Sequence, residues 1–175
     1  MRTALDLISQ YAQYHRDRRN IVSHFVGVPM IVFGLGVLLA RPAFVWGSLV
    51  LSPAWLVFAT ASAWYLSRGD LALGMAVSAV VGSLMLLAQT VSGGSVAGWL
   101  AWGLGFFVIG WLIQFIGHWY EGKKPAFVDD VIGLLVAPMF VTAEMLFAFG
   151  WNKAMLDEIE RRAGPTVMRD MAKIA

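Results

Sequence analysis

Three histidines, His15, His24 and His118, are the side chains best suited to chemistry in this sequence. Neutral imidazole is the commonest transition-metal ligand among side chains. Three of them, or two with a carboxylate, leave positions open on a bound ion, an arrangement suited to Fe2+ and dioxygen or to zinc-activated water. Asn20 lies four residues before His24, and Gln114 four before His118, so each amide shares a helix face with its histidine. Glu121, three residues past His118, continues that polar stripe. His15 and His24 are nine apart, which at about 100° per residue puts them on opposite sides of one straight helix. They share a site only if the chain bends between them, and Asn20 is a residue type that starts a new helix there. The competing reading makes these interfacial or helix-capping histidines. Three of them together with Glu121 favour a site, because ionisable groups within membranes are expensive and usually functional.

Other residues are more ambiguous. Glu144 sits in an apolar segment, where three roles stay open: metal ligand, carboxylate holding a histidine tautomer, or neutral acid. Lys123 and Lys124 could draw in a substrate carboxylate or an acidic headgroup, although a basic flank to a membrane span explains them better. Tyr11 and Tyr14 could line a site, but packing in a core fits them better. Gly27, Gly34, Gly36, Gly103 and Gly105 allow helices to approach closely and form no phosphate loop. Cysteine is absent, which excludes disulfides, thiolate metal sites and cysteine nucleophiles. No basic stripe interleaved with aromatics points to nucleic acid.

The elements that must position these groups follow from composition. Of 175 residues, 59% are apolar and 14% charged, against about 25% charged in a soluble domain. Mean hydropathy is +0.70 and net charge +2. Between Asn20 and Gly117 the only charged side chains are Arg41, Arg68 and Asp70. This is the pattern of an all-α integral membrane bundle, one domain over residues 1–175. Four spans are predicted, Ile21–Ala40, Ala43–Leu66, Leu71–Val91 and Val96–Gly117, each near the roughly 20 residues needed to cross the hydrocarbon. Short turns join them at Arg41-Pro42, Ser67–Asp70 and Ser92–Ser95. Pro29 and Pro53 are expected to kink the first two spans.

Residues 1–19 carry Leu5, Ile8 and Tyr11 at helical spacing and read as an interfacial amphipathic helix, with no cleaved signal peptide. Val131–Trp151 is a fifth apolar helix, buried, re-entrant or spanning, and the first two fit its Asp129-Asp130 flank and Pro138 better. Residues 152–175 form a polar tail, an amphipathic helix with a frayed end. Arg2, Arg16, Arg18, Arg19, Arg68, Lys123 and Lys124 gather on one side and only Arg41 on the other, which places the N-terminus in the cytoplasm. An up-down bundle then returns the end of the fourth span, with His118, to the side where His15 and His24 lie.

Two blocks carry a family resemblance. Tyr14-His15-Arg16-Asp17-Arg18-Arg19-Asn20 through His24-Phe25-Val26-Gly27-Val28-Pro29 resembles the opening motif of the Mpo1-like family. Gln114-Phe115-Ile116-Gly117-His118-Trp119-Tyr120-Glu121-Gly122-Lys123-Lys124-Pro125-Ala126 is similar to its second signature, and Ala137–Phe140 with Glu144 to its C-terminal block. The resemblance implies an Fe2+-dependent dioxygenase that shortens a 2-hydroxy fatty acid by one carbon with O2, as in fatty acid α-oxidation. It implies metal-binding roles for His15, His24 and His118. Glu121 would complete the metal shell, Asn20, Gln114 and Glu144 would support it, and Lys123 would attract the carboxylate. The membrane would be the inner membrane of a bacterium or the endoplasmic reticulum of a eukaryote, with the site near the cytoplasmic face. A zinc-dependent lipid hydrolase and a non-enzymatic lipid-binding scaffold are the alternatives.

Overall fold

Capping side chains divide the apolar sequence into its helices. Thr3, Asp17, Asp70, Ser95 and Asn152 each accept a hydrogen bond from a first-turn amide, satisfying donors that the helix itself leaves free. The structure is a computed structural model that describes residues 1–41, 43–47 and 49–171. Its helices are α1 (Ala4–Ala12), α2 (Arg18–Leu39), α3 (Pro53–Leu66), α4 (Leu71–Ser92), α5 (Val96–Glu121), α6 (Gly133–Ala148) and α7 (Lys153–Ala163). A single 3-10 turn, Ala126–Val128, precedes α6.

α2, α4 and α5 are each long and apolar enough to cross a membrane. The second predicted span, Ala43–Leu66, is divided. Its first part is an antiparallel hairpin of β1 (Phe44–Trp46) and β2 (Leu49–Leu51), paired Phe44 to Leu51 and Trp46 to Leu49. Hydropathy averaged over a window cannot see this break, because an aromatic and β-branched run suits a strand as well as a helix. Gly47, at φ +61°, takes the left-handed turn conformation that favours glycine. Pro53 therefore kinks nothing. It stands at the first helical position of α3, where its missing N–H is not needed. The 14 residues of α3 reach only about 21 Å, short of a hydrocarbon core of roughly 30 Å. Pro42, in the first predicted turn, and residues 172–175 of the tail lie outside the described residues.

α2 and α5 run antiparallel and form the closest helix pair. Gly27 lies against the Gly110 carbonyl, and a side chain at Gly34 would meet the Phe107 backbone nitrogen at 2.6 Å. Gly27 and Gly34 are seven apart, as are Gly110 and Gly103 on the partner, so one small-residue seam repeats along both helices. Gly117 continues it against Asn20 and Ser23. α6 packs on α1, α2 and α4, and α1 also packs on α7. Leu7, Ile8, Tyr11 and Ala12 of α1 are accordingly buried within the protein.

The tail departs from the expected frayed end. After α7 the chain turns back along the α1–α2 linker, where Val167 N–H donates to the Arg16 carbonyl at 2.8 Å and Arg18 N–H to the Val167 carbonyl at 2.9 Å.

Candidate metal centre

The linker between α1 and α2 delivers His15, the second turn of α2 delivers His24, and the last turn of α5 delivers His118. All three are buried, His15 and His24 completely. Their ring centroids stand 4.4 Å (15 to 24), 4.9 Å (15 to 118) and 5.3 Å (24 to 118) apart. One nitrogen from each lies within 4.8 Å of the others, and among the described residues this is the group that could hold a metal ion. The bend required between His15 and His24 is present. Asp17 caps α2, three residues earlier than Asn20, the predicted start.

Hydrogen bonding fixes the tautomers. His15 Nδ1 lies 2.7 Å from the Tyr11 carbonyl, and His24 Nδ1 lies 2.8 Å from the Asn20 carbonyl. A carbonyl only accepts, so both Nδ1 atoms carry the hydrogen and both Nε2 atoms are left with bare lone pairs. Those two Nε2 atoms face each other at 3.0 Å. Two lone pairs so close repel unless a shared electrophile lies between or beside them. The Nδ1 of His118, buried nearby, has no hydrogen-bond partner. A separation of 3.0 Å also matches adjacent ligands on one ion with bonds of roughly 2.1 Å. The residues present therefore fit a divalent transition metal. Burial, reinforced by the neighbouring His24 and His118, holds the His15 imidazole well below its ordinary titration range, in the neutral form that binds metals.

The carboxylate of Glu121 occupies a different place from the imidazole nitrogens. It accepts from Arg16 N–H (3.0 Å), Asp17 N–H (2.7 Å) and Asn20 Nδ2 (3.1 Å), and so ties the end of α5 to the bend that carries His15. Asn20 Nδ2 donates also to the Tyr14 carbonyl at 3.1 Å. Asp17 caps α2, pairs with Arg19 at 2.7 Å and accepts from the tail's Arg169 N–H at 2.9 Å. Its hydrogen bonds, led by that from Arg19, hold its carboxyl at about 2. Lys123 Nζ donates to the Gln13 carbonyl at 2.6 Å, beyond the end of α1. Glu144 stands 3.6 Å from the buried Arg16 guanidinium. The imidazoles, Asn20 and Glu121 thus form one connected cluster, while Lys123 and Glu144 serve its outer supports.

Two contributors carried little sequence signal. Tyr11 stacks flat on His15 with centroids 4.0 Å apart and planes 5° from parallel. The tail segment acts through its backbone, which leaves no mark in side-chain composition. Beside the histidines lies a narrow cavity of about 50 Å³. His118, Gln114 and Tyr11 line it together with apolar residues that include Val28, Trp111 and Leu134.

Comparison with known proteins gives one consistent picture. A family model described as "2-hydroxy-palmitic acid dioxygenase Mpo1-like" matches residues 1–149. The chain is 34% identical over 165 residues to the 2-hydroxy-palmitic acid dioxygenase MPO1 of Saccharomyces cerevisiae, covering 89% of this chain and 88% of the yeast protein. No solved structure matches.

Proposed function

The chain belongs to the Mpo1-like family, and from that premise we propose that it is a membrane-embedded dioxygenase of 2-hydroxy fatty acids in which His15, His24 and His118 hold Fe2+. The observation that supports this most directly is the pair of unprotonated Nε2 atoms meeting at 3.0 Å beside the unpartnered Nδ1 of His118. The proposed reaction converts a 2-hydroxy acid and O2 into the acid one carbon shorter, carbon dioxide and water. The bond between C1 and C2 breaks, C2 gains the oxygen that makes it a carboxyl carbon, and the hydroxy acid supplies all four electrons that O2 takes up. No external reductant is required.

When bound, the ion supplies open positions for the hydroxy acid and for O2 together with the redox chemistry that joins them. The protein does the rest by holding groups still. The Tyr11 and Asn20 carbonyls keep hydrogen on the Nδ1 atoms of His15 and His24, so both Nε2 atoms stay available as ligands. Glu121 fixes the bend that brings His15 to the other two, and Tyr11 sets its ring plane. Burial excludes bulk water from the centre. With the N-terminus in the cytoplasm, the site opens at the inner leaflet, where a fatty acid already resides. Three imidazoles without a carboxylate also suit zinc, so a Zn2+-dependent lipid hydrolase is the second reading.

Metal analysis of the purified protein, followed by 2-hydroxypalmitate and O2 with product length read by mass spectrometry, tests both. Stoichiometric iron and pentadecanoate formed one-for-one with O2 consumed are expected. His24→Ala and His118→Ala should each lower bound metal at least tenfold and turnover at least a hundredfold. Oxygen-independent turnover with zinc would replace the proposal by the hydrolase, and full activity in either variant would end it.

A further inference from the structure

The cavity beside the imidazoles is lined mostly by apolar side chains, and Tyr11, Gln114 and His118 bring polar groups to it. Gln114 and Tyr11 are 5% and 7% exposed, and among the described residues neither the Gln114 amide nor the Tyr11 hydroxyl has a hydrogen-bond partner. Neither polar tip is sealed off, and both side chains line the cavity, so a molecule bound there can supply the missing partners. On the other side, α5 and α6 both pack on α2 and make hardly any direct contact with each other. The cavity lies along that gap, with half-buried Trp111 and exposed Leu134 on its walls. Tyr11, Gln114 and His118 are nearly covered, whereas Leu134 on the α6 wall is 47% exposed on the apolar outside of the bundle.

We infer that Gln114 and Tyr11 recognise the 2-hydroxy-carboxylate head of the substrate, while the acyl chain runs through the gap between α5 and α6 toward the bilayer. This deepens the proposed function and rests on it for the identity of the acid. The chemistry of the pair fits that head. A glutamine amide donates to a carboxylate oxygen and accepts from the 2-hydroxyl, and the phenol of Tyr11 adds a second donor. A plain fatty acid would leave the Gln114 oxygen without a donor, so the pair favours the hydroxylated acid. The gap lets a long chain enter sideways from lipid.

The inference is tested on metal-free protein in detergent by calorimetric titration with 2-hydroxypalmitate and with palmitate, so that the readout is binding and partition into the micelle is common to all variants. The native chain should bind the hydroxy acid about tenfold more tightly than palmitate. Gln114→Met should erase that preference, and Tyr11→Phe should weaken both acids by about fivefold. Gln114→Glu, nearly the same shape, keeps the packing and should bind either acid worse still, because it sets a carboxylate against a carboxylate. Ala137→Phe, which intrudes on the apolar part, should reject 2-hydroxypalmitate and keep 2-hydroxyoctanoate. An undiminished preference in both Gln114 variants, or no binding by the native chain, overturns the inference. Native binding with the expected preference but no turnover in iron and O2 would instead overturn the dioxygenase reading and leave the head-group site standing.

Discussion

At the end of the bundle that carries His15, His24 and His118, the side chains of Asp17, Asn20 and Glu121 are buried and joined by hydrogen bonds to three separate stretches of chain. At the opposite end Phe44, Val45 and Trp46 stand exposed on the hairpin, and Arg41 reaches the Gly94 carbonyl across the next loop. Apolar burial holds both ends through the helices between them. The histidine end adds a network of buried side-chain hydrogen bonds, each of which fails at a cost if one partner is removed. The difference teaches where precision resides: the hairpin needs only a suitable apolar surface, whereas the imidazole cluster needs particular atoms at particular distances.

The sharpest way to break this contrast is Glu121→Ala. It leaves the buried Arg16 and Asp17 N–H groups and the Asn20 amide short of an acceptor, and should cost about 3 kcal/mol or more in thermal unfolding together with most of the bound metal. Glu121→Gln, which keeps one accepting oxygen, should recover part of both. Next comes removal of the tail after Ala163. The linker then loses its pairing with Val167 and the Arg169 bond to Asp17, so metal affinity should fall about tenfold while circular dichroism shows the remaining helices intact.

A smaller effect comes from acid. The folded state holds Asp17 at about 2, below its unfolded value near 4, so its contribution is complete above pH 4 and disappears as the pH falls toward 2. Asp17→Asn should lower stability at neutral pH and flatten the stability profile across that acid window. Trp46→Ser, at the other end, should change thermal stability by less than about 0.5 kcal/mol and leave metal content untouched. An effect on metal from Trp46, or none from Glu121, would erase the distinction between the ends.

Much of the centre was legible because its logic is long-range but simple. Alternating spans return His118 to the depth of His24, and a nine-residue step from His15 to His24 demands a bend. The start of α2 was misplaced by three residues because Asn20 and Asp17 are both good capping types, and what decides between them is the distant carboxylate of Glu121 on the linker amides. Glu121 and Asn20 were expected beside the histidines from their spacing, but apart from their bond to each other their partners are backbone groups, which sequence spacing does not reveal. The hairpin and the tail were missed for related reasons. Phe44–Leu51 is apolar enough to pass for helix, and residues 164–169 act through main-chain atoms that every sequence possesses.

The glycine seam between α2 and α5 has one more implication, for the spacing of His24 and His118. Sliding one helix along the other by a single turn would displace the rings by about 5.4 Å, more than the 5.3 Å that separates them. Glycines recurring every seven residues on both helices act like matched teeth, meshing fully in one alignment and clashing in those close to it. The reach of the two imidazoles toward each other is thus gauged from about three turns away at Gly34 and about four at Gly103, by residues that have no side chain at all.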